Sequence, residues 1–269
     1  MRRMMAMSVV TALALTTAAS AQSCHDGKTL ADGKLTIATG NPAYYPWVMN
    51  DAPESGEGFE AAVAYALAEK MGFAAGDVVW TRTSFDQAIQ PGEKDFDLNM
   101  QQFSITEARD KVVDFSEPYY TAPMAVLVRG SDGLAADMDT LKGLKWGVVA
   151  STTALPVILK KIAPDSNPLI YDDNANVVEA MKAGQIDAAL FDLPTALYLS
   201  AVVLEGGQVL GQFDPDETTD PDHFGALMTE GNPLKECVDA ALEDMKSDGS
   251  LAAIEAQWLQ ETTGVPLIR

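Results

Sequence analysis

Two halves of the chain repeat one rhythm, a short apolar strand followed by an amphipathic helix, and that rhythm limits the fold more than any other feature. In the first half Leu35-Thr36-Ile37-Ala38 reads as a strand. Gly58 to Met71 reads as a helix, because Phe59, Ala62, Val63, Ala66, Leu67 and Met71 share one face and Gly72 stops it. Val78-Val79-Trp80 is a second strand, Ser84 to Gln87 has capping-box spacing for a short helix closed by Pro91-Gly92, and Phe96 to Met100 is a third strand. In the second half Lys145 to Val149, Leu169 to Tyr171 and Ile186 to Phe191 read as strands. Ala154 to Ile162 and Ala175 to Ala183 read as helices, with Pro156 tolerated in a first turn. The halves even share a helix–glycine–strand phrase, Ile89 to Asp97 and Ala180 to Asp187. This βαβα alternation predicts an α/β fold of two similar lobes, each a mostly parallel sheet flanked by helices.

Two crossovers are expected between the lobes. Ala125 to Val128 is an extended apolar run leading into Gly130-Ser131-Asp132-Gly133, and the segment from Phe213 to Phe224 returns the chain. Lobe one then comprises residues 22–127 and 224–269, and lobe two residues 128–223. Helices from Pro233 to Met245 and from Ser250 to Trp258 close the chain. The return segment carries Asp214, Asp216, Glu217, Asp220 and Asp222 but lacks the glycine of an EF-hand turn, so it reads as a solvated acidic loop and not a metal site.

Arg2 and Arg3, an apolar run from Val9 to Ala19 and the triplet Ala19-Ser20-Ala21 have the form of a cleaved export signal over residues 1–21. No later run has the length a bilayer requires. An exported protein with two cysteines, Cys24 and Cys237, is expected to pair them. A lipid on Cys24 is the competing reading, against which the preceding Ala21-Gln22-Ser23 lacks the usual leucine. The formal net charge of −21 argues against nucleic acid and anionic membrane surfaces as partners.

Against that acidic background one segment stands out. Gln101-Gln102-Phe103-Ser104-Ile105-Thr106-Glu107-Ala108-Arg109 sets an arginine, two hydroxyls and two amides just after a strand. The planar guanidinium fork matches a carboxylate two bonds at a time, so the loop is suited to a small anion. Enzyme chemistry has little to stand on. The only histidines are His25 and His223, and no G-x-S-x-G, H-E-x-x-H or C-x-x-C run occurs. Gly56-Glu57-Gly58-Phe59-Glu60-Ala61 mimics a dinucleotide fingerprint, but Glu57 and Glu60 would repel a pyrophosphate and no strand leads into it.

Thr39 to Trp47, Gly58-Phe59-Glu60, Ser104 to Arg109, Val113-Asp114-Phe115-Ser116-Glu117-Pro118-Tyr119, Thr152-Thr153 and Ile186 to Asp192 together resemble the periplasmic amino-acid-binding proteins of ABC importers (family 3). The resemblance runs from Lys34 to Trp258. It implies a two-lobed periplasmic-binding-protein fold of type II with two hinge crossovers, working without a cofactor. It also implies a free amino acid as ligand, a membrane permease as partner and a monomeric, periplasmic, non-enzymatic protein. Arg109 and Ser104 then hold the α-carboxylate, and Thr153 adds a hydroxyl from lobe two. Asp192 pairs with the α-ammonium, although it also suits a helix N-cap before Pro194. Gln102 meets the ammonium by side chain or carbonyl, and Tyr44 and Trp47 cover the apolar part. Asn41 stands where many members carry an acid, which favours a polar or small neutral side chain on the ligand. A few proteins of this fold are secreted lyases or dehydratases acting on cyclic carboxylates, and that is the alternative function, with Glu60 or Asp192 as proton shuttle.

Overall fold

The computed structural model describes residues 23–130, 133–214, 222–259 and 264–269. The proposed export signal and most of the acidic return loop lie outside these residues. The chain folds into two α/β lobes, each built on a five-stranded sheet.

Lobe one opens with β1 (Leu35–Gly40), α1 (Phe59–Lys70), β2 (Val78–Thr83), α2 (Phe85–Ala88), β3 (Leu98–Asn99) and β4 (Val113–Phe115). β1 pairs parallel with both β2 and β3. Gly58, at the entrance to α1, has φ 104°, and a Cβ there would stand 2.5 Å from the Trp47 carbonyl oxygen. Only glycine fits that crossing. The first N–H groups of α1 are already used, since Phe59 and Glu60 donate to the carbonyls of Pro46 and Trp47. The helix end that mimics a phosphate cradle is therefore closed to an anion. α2 is short but capped as its spacing predicts, with Ser84 Oγ accepting from the Gln87 N–H.

Strand β5 (Tyr120–Ala122) leaves lobe one, and β6 (Met124–Val128) enters lobe two. There follow α3 (Met138–Lys142), β7 (Trp146–Val149), α4 (Ala154–Pro156, continuing as wider π-type turns over Val157–Ile162), β8 (Leu169–Tyr171), α5 (Asn174–Lys182), β9 (Ala188–Asp192), α6 (Leu193–Tyr198) and β10 (Gln208–Gln212). The sheet order is β10-β6-β9-β7-β8, with β7 parallel to β8 and β9 and with β6 and β10 antiparallel to their neighbours. The chain returns through β11 (Asp222–Phe224) and completes lobe one with β12 (Leu227–Thr229), α7 (Lys235–Ser247) and α8 (Ser250–Trp258). The first sheet then runs β2-β1-β3-β12-β4.

Two boundaries differ from the sequence reading. Ala125 to Val128 is no linker. Ala125 and Leu127 pack into one core of lobe two while Val126 and Val128 pack into the other, as expected of a strand covered on both faces. The crossing is made one strand earlier, by a two-stranded ribbon of β5 and β11. The C-terminal residues also belong to lobe two and not lobe one. Ile268 is buried in its core, its N–H donates to the Gln212 carbonyl, and the Arg269 carbonyl accepts from Met138.

Each sheet has a core on either side. In lobe one, α1, α7 and α8 cover the larger core, which includes Phe59, Leu67, Leu98, Val238 and Leu242. Phe96, Phe103, Phe115 and Leu227 fill the opposite face. Cys24 and Cys237 form a disulfide that ties the start of the described chain to α7. A sulfur so bonded carries no lipid, so the lipid-anchor reading of Cys24 falls. No helix among the described residues is long and apolar enough to cross a membrane.

Candidate functional site

The lobes meet across a cleft beside the β5–β11 ribbon, with a cavity of about 210 Å³. Lobe one supplies Asn41, Tyr44, Gln101, Gln102 and Ser104; lobe two supplies Met124, Thr152, Thr153, Asp173 and Asp192. Each arrives at the end of an element. Gln101 and Gln102 follow β3, Thr153 precedes α4, and Asp192 ends β9 and caps α6. Strand ends gathered at one edge of each sheet are where α/β folds place their ligands.

Asp192 serves both readings at once. Its Oδ1 accepts the Thr195 N–H at 2.8 Å as an N-cap, and it still lines the cleft. Burial raises its pKa to about 6, against the Thr195 N–H and hydroxyl, which stabilise the anion. Ser104 Oγ and Thr153 Oγ1 face each other from opposite lobes at 3.4 Å. Burial, then the Asp173 carboxylate, push the Tyr44 phenol up to about 12. Gln101 Oε1 is buried without a hydrogen-bond partner among the described residues, and the Tyr44 hydroxyl has only a loose contact with the Ala175 N–H. Both belong to the wall, which leaves them for a polar ligand or water.

Asn41, Tyr44, Gln102, Ser104, Thr153 and Asp192 thus stand together, whereas Arg109 and Trp47 do not share the wall. Arg109 is only 8% exposed and lies behind Ser104. Its Nη1 donates to the Ser104 carbonyl at 2.7 Å and its Nη2 to the Ser151 carbonyl of the other lobe at 2.9 Å, with the fork set 5.3 Å over the Phe85 ring. Burial lowers its pKa to about 10, opposed by Asp222, and it stays charged at neutral pH. Trp47 is 1% exposed and packs edge-on against Phe59, Tyr120 and Phe224, so it is core and not cleft cover. Its indole Nε1 donates to Thr195 Oγ1 at 2.8 Å, a buried bond between lobes. Gln102 has its side-chain amide on Glu60, turned away from the reading in which the side chain meets the ligand and leaving the main-chain carbonyl reading open.

Sequence reasoning missed Asp222, which it assigned to a solvated loop. Asp222 is 8% exposed and lines the cleft together with Phe224. The signal was strand alternation, since residues 222 and 224 of one strand share a face. Asp172 and Asp173 were also missed; Asp173 caps α5 by accepting the Asn176 N–H at 2.8 Å.

A two-lobed α/β protein whose hinge cleft gathers hydroxyls, amides and carboxylates from both lobes is by class a solute-binding protein. The profile of the bacterial extracellular solute-binding proteins, family 3, matches residues 35–261, and the chain belongs to that family. The L-cystine-binding protein TcyJ of Escherichia coli is 30% identical over 75% of this chain and 73% of that protein. The arginine-binding periplasmic protein of Mannheimia haemolytica is 29% identical over 81% of this chain and 88% of that protein. Among solved structures, an ancestral arginine-binding protein bound to glutamine is 31% identical and superposes with a TM-score of 0.70, covering 86% of this chain and 100% of that one. These relatives are solute-binding transport proteins, not enzymes.

Proposed function

We propose that the cleft captures a free amino acid in the periplasm and that closure of the lobes presents it to the permease of an ABC importer. The protein acts as a monomer, exported by cleavage after about residue 21, and needs no cofactor. One observation carries the reading: opposite lobes bring complementary groups to one cleft. Ser104 and Thr153, with Arg109 behind them, offer donors to a carboxylate, and Asp192 and Asp222 offer acceptors to an ammonium. A zwitterion then satisfies both ends only when the lobes are closed, so binding selects the closed state. Asn41 favours a neutral polar side chain, while Asp172 and Asp173 on the facing lobe also accommodate an amine or guanidinium.

Thermal-shift screening against the twenty amino acids, polyamines and betaines, followed by calorimetry, tests this. One or a few α-amino acids should raise the melting temperature and bind at a single site. A shift with none of them, or turnover of prephenate or arogenate, defeats the proposal.

A further inference from the structure

Glu60 is the second residue of α1 and is 1% exposed, yet it forms no part of the cleft wall. Its Oε1 accepts the Gln102 N–H at 2.8 Å. The same carboxylate accepts the Gln102 side-chain amide and the Tyr119 hydroxyl. Gln102 does line the cleft, and it does so with φ 52°, a left-handed backbone that residues with a Cβ rarely adopt. Such a conformation persists only where its surroundings hold it. Here one carboxylate grips both nitrogen donors of the strained residue, and the Tyr119 hydroxyl fixes the carboxylate in turn.

Resting on the amino-acid reading of the cleft, we propose that Glu60 is a positioning residue for ligand binding. It locks Gln102 in the left-handed conformation with the side-chain amide committed to lobe one, so that Gln102 meets the ligand through its main chain. The arrangement works only while Glu60 is ionised, because a protonated carboxyl loses acceptor capacity against three donors. Burial raises its pKa to about 7, opposed by the bonds from Tyr119 and Gln102, with the Asp192 carboxylate adding a smaller upward push from the other lobe.

The test is calorimetry with whichever amino acid most stabilises the wild-type protein, applied to Glu60→Gln, Gln102→Gly and the double variant. Glu60→Gln should bind about tenfold more weakly, since it loses charged hydrogen bonds. Gln102→Gly should lose less affinity than Glu60→Gln, because glycine keeps the main-chain groups and takes a positive φ unaided. In the Gln102→Gly background, Glu60→Gln should cost less than about threefold more, since its effect passes through Gln102. Wild-type affinity should fall between pH 8 and 6.5 as Glu60 takes a proton, and Glu60→Gln should be flat there while keeping the Asp192 step near pH 6. Wild-type affinity in Glu60→Gln, a tenfold loss in Gln102→Gly, or additive losses in the double variant would overturn the proposal. If Glu60→Gln fails to fold by circular dichroism, the Gln102→Gly arm decides alone. A wild-type protein that binds no amino acid overturns the functional reading itself, whereas normal wild-type binding with an unaltered Glu60→Gln overturns only the role of Glu60.

Discussion

Thr195→Val measures how much of the affinity is set by closure itself. Trp47 Nε1 donates to Thr195 Oγ1 at 2.8 Å across the lobe boundary, and both residues are buried. Valine keeps the shape of threonine but removes the acceptor. In the closed arrangement the indole N–H then lies buried and unpaired, whereas in an open one water takes the acceptor's place. An unpaired buried donor costs roughly 1–3 kcal/mol, and that cost falls on the closed state alone. A ligand that binds only the closed state should lose the same free energy, about 5- to 150-fold in affinity. Calorimetry at pH 8 keeps Asp192 ionised, which matters because the Thr195 hydroxyl also stabilises that anion. Small-angle scattering of the variant without ligand should show a larger radius of gyration. Trp47→Phe removes the donor instead and leaves the Thr195 hydroxyl its bond to Asp192, so its loss from this bond should be smaller. An affinity for Thr195→Val within twofold of wild type, with only a lower melting temperature, would refute the reasoning. The pair would then be a hinge contact that persists in both states.

The carboxylate of Asp192, raised to about 6, should give ligand affinity an acidic limb. As pH falls through 6 the acid is neutralised and the ammonium loses its partner, so calorimetry from pH 8 to 5 should show a weakening step near pH 6 that Asp192→Asn abolishes, while the Glu60 step above it remains. Stability runs the other way: a carboxyl whose folded pKa is raised stabilises the fold while protonated and loses that contribution as pH rises through the folded value. Thermal melts without ligand should accordingly show the contributions of Asp192 and Glu60 being lost between about pH 4 and pH 7. Arg109→Lys should weaken binding about tenfold in the same calorimetry, because an ammonium cannot replace a planar fork that spans the carbonyls of both lobes. Cys24→Ser with Cys237→Ser should cost up to about 5 kcal/mol in denaturant melts, since the bond spans a sequence separation of 213.

Much of the fold was legible because its signals are local. The strand–helix alternation predicts the lobes, and Ser84 caps α2 as its spacing requires. The run from Ala125 to Val128 was misread because an unbroken apolar stretch has no period to follow. Its lack of any polar position was the clue, since only a strand covered on both sides affords it. The C-terminal residues gave no signal at all: they join lobe two through the Leu267–Gln212 bridge, main-chain hydrogen bonds with Gln212 and Met138, and the buried Ile268. Of the residues singled out in sequence, those near strand ends line the cleft, whereas Asp222, set there by strand register, was not singled out. Trp47 looks like cleft cover in sequence, but the turn into Gly58 drives its ring into the core.

Arg109 joins what the sequence treats as separate tasks. A guanidinium has five N–H donors. One goes to the Ser104 carbonyl of lobe one and one to the Ser151 carbonyl of lobe two, which leaves three. We propose that a carboxylate held between the Ser104 and Thr153 hydroxyls draws on these remaining donors from behind Ser104. It therefore need not break the clasp to gain the charge. On that proposal carboxylate recognition and closure draw on one cation, because the bond to the Ser151 carbonyl ties the fork to lobe two. Such a coupling would let a strongly acidic protein hold an anionic group although no lysine or arginine lines the cleft among the described residues. It also separates two kinds of selectivity. A clasp of this kind would read only the carboxylate common to all amino acids, and discrimination among side chains would then fall to Asn41, Tyr44, Asp172 and Asp173 at the rest of the wall.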